Sequence, residues 1–248
     1  MHRIAVSFFV VSVLLLALPA MAQEAPVYTF LAHWNVPRAQ WAEFIAFGEE
    51  NVFPVLERML ADGTIVAWGS TVAVVHEQGG TTHEVYWAAS SIAGIERARE
   101  ELAKLPSSPV LSGAKHHDHL LQSLIHRGST TDTTTGYLYV SIVKVRPGRG
   151  QAWRAVWEKY FKPTYDELLA NGTILLYEVS REYVHAEDPR WRYVWYIAAS
   201  ADAQDKVNEA FTAVFEKEAP AILAALSAVG IRSEHRDVSR RVLNYAHK

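Results

Sequence analysis

The 248-residue sequence has no cysteine. No disulfide can therefore staple the fold, and lipid attachment through a cysteine is excluded. Positive charge is also in short supply: 24 Lys and Arg against 27 Asp and Glu leave a formal net charge of −3. A nucleic-acid partner would normally require a basic face, and no Lys/Arg cluster provides one, so nucleic acid is not expected as a partner. The chain shows no Ser-His-Asp ordering, no phosphate-cradling glycine loop and no dinucleotide fingerprint, which argues against hydrolase, kinase and dehydrogenase readings. What is present is globular in character. Half the residues are apolar and 21% are charged, in a chain with room for two domains of ordinary size.

The first 22 residues read as a signal peptide. His2 and Arg3 give a short positive start, Ile4 to Leu18 is an apolar stretch, and Ala20-Met21-Ala22 is a small-x-small cleavage site after the Pro19 break. The expectation is an exported protein, periplasmic or secreted, that begins at Gln23 and has no membrane attachment once cleaved. No twin arginines occur in this segment, which favours export of the unfolded chain.

The chain also contains itself twice. Residues 27–92 moved forward by 109 positions fall on 136–201 without a gap. Tyr28 lands on Tyr137, Val36 on Val145, Pro54 on Pro163, and Leu60-Ala61-Asp62-Gly63-Thr64-Ile65 on Leu169-Ala170-Asn171-Gly172-Thr173-Ile174. Like replaces like elsewhere, as Trp68 with Tyr177 and Tyr86 with Trp195. A register held this long means one folding unit copied in tandem.

Each copy reads strand, long helix, strand, strand, helix, strand. Strand one is expected at Val27–Val36 and Tyr137–Val145, rich in β-branched and aromatic residues. The long helix should kink at Pro54 and Pro163 and stop at Gly63 and Gly172. Hairpins should follow over Thr64–Ser90 and Thr173–Ser200, then helices near Ile92–Leu105 and Ala203–Ala225. The last strands are expected near Lys115–Arg127 and Ile231–Tyr245. By composition, residues 129–135 are a linker between a first half over 23–128 and a second over 136–248. The fold class is α+β: two tandem ferredoxin-like βαββαβ units. Their strands are apolar on both faces, whereas helices can cover only one. The units should therefore pack sheet to sheet within one chain.

This element order, with double-faced strands in tandem, resembles the dimeric α/β barrels. That superfamily includes antibiotic-biosynthesis-type monooxygenases, stress-responsive barrel proteins, and the EthD-like and NIPSNAP-like families. The resemblance spans nearly all the chain after residue 22 and implies a barrel closed by one chain, with cofactor-independent oxygenase or isomerase chemistry. No family motif matches residue by residue, so no active site is carried over from it.

Polar residues that only one copy places on an apolar strand are the better functional candidates. His33 faces Ile142 in the alignment, and Glu178 stands where the first copy has Gly69. Both are acid/base candidates, because a buried titratable group is costly unless paired or protonated. The plainer alternative is a rim position reaching solvent. The aromatics Trp34, Trp68, Trp87, Tyr177 and Tyr196 are core material, but alternation should turn some of them into an inter-sheet cavity that binds a small apolar or aromatic molecule. The cluster His116-His117-Asp118-His119 places His117 and His119 on one strand face. Two such histidines need a third ligand, for instance His33 or Glu178, to hold a metal. The short spacing reads first as a solvated strand entrance, so neither metal nor cofactor is expected. The rival reading is a non-catalytic module with a filled barrel.

Overall fold

The computed structural model describes residues 26–75, 79–184 and 188–248. Residues 1–22, expected to be a signal peptide, and the matched pair His76 and His185 lie outside the described residues. The first copy runs β1 (Tyr28–Asn35), α1 (Trp41–Phe47), α2 (Phe53–Ala61), β2 (Ala67–Ala73), β3 (His83–Ala89), α3 (Ile92–Leu102), the short α4 (Pro109–Ser112) and β4 (Lys115–Gly128). The second runs β5 (Thr131–Val145), α5 (Gly150–Tyr160), α6 (Lys162–Ala170), β6 (Ile174–Glu182), β7 (Trp191–Ala198), α7 (Ala201–Val229) and β8 (Gly230–His247).

The repeat survives at the level of single hydrogen-bonded pairs. Tyr28 faces Ala89 as Tyr137 faces Ala198, and Trp68 faces Trp87 as Tyr177 faces Tyr196. Ser91 and Ser200 cap their helices alike, each side chain accepting from the third residue on, Gly94 or Ala203, at 3.1 Å. Gly63 and Gly172 take φ of 78° and 76°, the left-handed conformation that ends a helix.

The strands close into a barrel in the order β1-β3-β2-β8-β5-β7-β6-β4, every neighbour antiparallel. Two of these joints cross between copies: β2 with β8, and β4 with β6. The two sheets therefore meet along both edges as well as across their inner faces. Helices cover the outside. Among the described residues no helix is long and apolar enough to cross a membrane.

Alternation along each strand separates two cores. Outward residues pack under the helices: Phe30, Trp68 and Trp87 against Phe53, Leu56 and Ile95 in the first copy, and Tyr177, Val179 and Tyr196 against Trp157, Tyr165 and Leu168 in the second. Inward residues fill the barrel, among them Tyr86, Leu121, Leu138, Leu176, Trp195, Ile197 and Tyr245. Tyr86 meets Trp195 edge-on at 5.7 Å between ring centres, so side chains from both copies occupy the middle of the barrel. Each such buried side chain contributes roughly 1.5–3 kcal/mol through removal from water.

Two expectations need correction. Among the described residues, Tyr86, Trp195 and their neighbours occupy the middle of the barrel, where the cavity between the sheets was expected. The linker expected at 129–135 shrinks to Ser129 and Thr130. Thr131 already pairs with His247 and Thr134 with Tyr245, the β-branched threonines extending β5 as a strand. The long helices do break at their prolines. The first passes through a π-helical turn at Gly48–Val52, and the second breaks at Phe161.

Candidate functional site

The two copies differ in what lies between sheet and helices. Under the 109-residue offset, Trp157 and Phe161 of the second copy correspond to Gly48 and Val52 of the first, and Phe211 of α7 corresponds to Leu102 of α3, the two helices starting in register. Phe215 lies on the part of α7 that runs past the end of α3. In the second copy these rings pack together: Trp157 stacks on Tyr165 at 5.6 Å, and Phe161 meets Phe211 and Phe215 at 6.2 and 6.1 Å. In the first copy the three replacements are smaller and line a cavity of about 400 Å³, with the Phe53 ring lying against Gly48. Its sheet wall is Phe30, Ala32, Trp34 and Trp87, and its helix wall includes Phe44, Phe47 and Phe53. That volume lies in the range of small-molecule sites, which are mostly apolar with a few placed polar groups.

Those polar groups are identifiable. His83 is buried at 2% exposure, its Nδ1 3.0 Å from the Thr82 hydroxyl and its ring centre 4.9 Å from both Trp41 and Phe44. The Arg99 guanidinium sits 5.5 Å over the Phe30 ring. At another wall His116 stacks on Trp34 at 4.0 Å and pairs with Asp118 at 2.8 Å.

Of the aromatics singled out from the sequence, Trp34 and Trp87 line this cavity. Trp68, Tyr177 and Tyr196 do not. Trp68 is fully buried with its ring 5.2 Å from Phe53, and Tyr177 and Tyr196 lie in the aromatic stack around Tyr165. All five face helices rather than the barrel interior. With both strand faces apolar, alternation shows which residues share a face but not which face is inside.

His33 and Glu178 do point into the barrel, but at different levels. Glu178 has no exposed surface, accepts from the Thr29 hydroxyl at 3.4 Å and pairs with His126 Nδ1 at 2.7 Å; His126 in turn lies 3.3 Å from His247. His33 is four residues beyond Thr29 on β1, about 13 Å along an extended strand. There its Nδ1 is 3.5 Å from Glu84, and its ring lies beside His117 and His119. Burial, followed by the nearby positive groups His119 and Arg240, holds the His33 imidazole well below its ordinary range, and burial raises the Glu84 carboxyl. The structure thus separates the two candidates and gives each its own set of partners.

No protein-family model matches the sequence, and no curated protein matches it. Solved structures do. A candidate monooxygenase from Lactobacillus acidophilus superposes with a TM-score of 0.63 at 11% identity, over 90% of this chain and 97% of that one. A second, from Fusobacterium nucleatum, gives 0.63 at 9% identity over 90% and 95%. An anthrone oxidase-like protein gives 0.51 at 11% identity over 91% and 94%. The fold is that of the dimeric α/β barrels. Here both halves of such a barrel belong to one chain, and the cavity described above lies under the helices of the first.

His83 and Gly48 are site residues that the sequence reading did not single out. Comparison of the copies for polarity alone passes over both, since His83 is matched by a charged residue, Arg192. Comparison for side-chain volume gives a partial signal: Trp157, Phe161 and Phe211 stand against glycine, valine and leucine, whereas Trp34, Phe47 and Phe53 stand against valine, valine and lysine.

Proposed function

We propose that the protein binds a flat, largely apolar small molecule in the cavity between the sheet and helices of the first copy. One observation carries this reading: Val52 and Leu102 line an open cavity at the positions where Phe161 and Phe211 place aromatic rings in the second copy. A ligand with a fused aromatic ring would add aromatic packing of the kind the second copy completes with its own side chains, against the cavity walls formed by Trp34, Phe44 and Trp87. His83 is the buried imidazole at the cavity wall and the group placed to move a proton to or from such a ligand. The first reaction to try is oxygenation or isomerisation of the bound ring, because the structures of similar fold include candidate monooxygenases and an anthrone oxidase-like protein.

The test uses 2-naphthol and anthrone as probes, read by tryptophan fluorescence and calorimetry. The full chain should bind one probe molecule, with quenching that saturates. The double substitution Val52→Phe with Leu102→Phe, which writes two rings of the second copy into the first, should weaken binding at least tenfold while leaving thermal unfolding cooperative. Equal binding by this filled variant would remove the cavity from the account. The packed barrel centre favours a second reading, a non-catalytic module. Absence of both binding and turnover with these probes would support that reading.

A further inference from the structure

The inner face of β1 and β4 carries a second constellation, on the opposite side of the strands from the cavity wall. In the antiparallel register His33 stands directly across from His117, and His119 follows two residues on, on the same face. The three rings gather closely: 4.9 Å for His33–His117, 5.1 Å for His33–His119 and 5.4 Å for His117–His119. One ring nitrogen from each lies within 4.8 Å of the other two. Two of the rings are also held from behind. Nδ1 of His33 is 3.5 Å from Glu84, and Nδ1 of His119 is 3.1 Å from Glu182. Both carboxylates are buried, and the Tyr193 hydroxyl donates to Glu182. The fold itself does not ask for this group. The second copy has Ile142 in place of His33, and its β8 segment Ser233-Glu234-His235-Arg236-Asp237 carries one histidine.

We propose that His33, His117 and His119 form a site for one divalent transition-metal ion of the imidazole-binding class, zinc or copper, at the mouth of the barrel. A carboxylate on Nδ1 fixes the tautomer of a ligating histidine and turns its Nε2 toward the ion, and here Glu84 and Glu182 stand in that position for two of three rings. Tetrahedral zinc with bonds of about 2.1 Å would place its ligand nitrogens about 3.4 Å apart, so binding draws the three rings inward by roughly an ångström. His117 is exposed and the other two are partly buried. The ion would therefore keep a solvent-facing coordination position, as open zinc sites do.

Calorimetry on tag-free protein stripped with chelator, titrated separately with zinc and copper(II) chloride, tests this. One ion should bind per chain for at least one of the two metals. His33→Ala, His119→Ala and the exposed His117→Ala should each weaken it about 100-fold, and Glu182→Gln by about 10- to 100-fold. His235→Ala, on an exposed histidine of β8 paired with Asp237, should leave it unchanged. Cobalt(II) loading should give the visible bands of low-coordinate cobalt in the native chain and not in His117→Ala, which alters only an exposed position. Absence of stoichiometric binding of either metal would overturn the site and leave a cluster of histidine–carboxylate pairs. So would binding that is indifferent to His33, His117 and His119.

Discussion

Gly69 has no side chain because Tyr86 takes its place: a Cβ there would lie 2.6 Å from the Tyr86 ring. At the matching position of the second copy stands Glu178, opposite Trp195, and the barrel interior gains a carboxylate instead. The exchange was legible in the sequence as a polar residue kept by one copy only. Its partners were not, since Thr29, His126 and His247 arrive from strands far away in the chain. His247 lends itself to a test. Burial, and then the neighbouring His126, push its imidazole from about 6.5 down to about 4. The folded state therefore refuses a proton that the unfolded chain accepts. This contribution is complete above pH 6.5, is lost as pH falls toward 4, and changes no further below that. The shift corresponds to about 3 kcal/mol over the window. Tyr245 and the His126–Glu178 pair face the same ring. Urea unfolding of the native chain should therefore lose more stability between pH 7 and 4.5 than the His247→Gln variant does. Parallel losses in the two proteins would show that His247 stays solvated.

At the scale of elements, sequence and structure agree where local chemistry decides. Pro54 and Pro163 interrupt the long helices because a proline offers no N–H to the carbonyl a turn before it. In the first copy the interruption takes the form of a π-helical turn, with the Asn51 amide donating to the Phe47 carbonyl at 3.2 Å. Gly48 and Val52, the two ends of that turn, line the cavity. The kink was legible from proline alone; its use as a wall was not, because that depends on which rings the opposite helix lacks. The threonine-rich stretch shows the converse. It reads as a linker by composition, but β8 lies alongside it, and β-branched residues next to an open strand edge become strand. Similarly, α7 runs to Val229, past the end expected at Ala225 and through Pro220.

At the scale of the molecule, closure depends on both copies. Residues 26–128 alone would leave β2 without β8 and β4 without β6, and would expose the inward faces of Tyr86 and Leu121. Unpaired edges and a bare apolar face drive association. That segment expressed alone should sediment as a dimer or aggregate, and a well-folded monomer with native-like melting would refute mutual closure of the copies. The tandem repeat made this architecture legible from the sequence. The difference between copies, which leaves a cavity under the helices of the first half, needed the helices in place to be seen. The central claim is that difference, and a crystal structure of the full chain grown with anthrone tests it most directly. The account predicts density for one flat ring system between Trp87 and the Gly48–Val52 turn, with the second copy's helix–sheet layer empty of ligand. Ligand inside the barrel among Tyr86 and Trp195, or under the helices of the second copy, would contradict it.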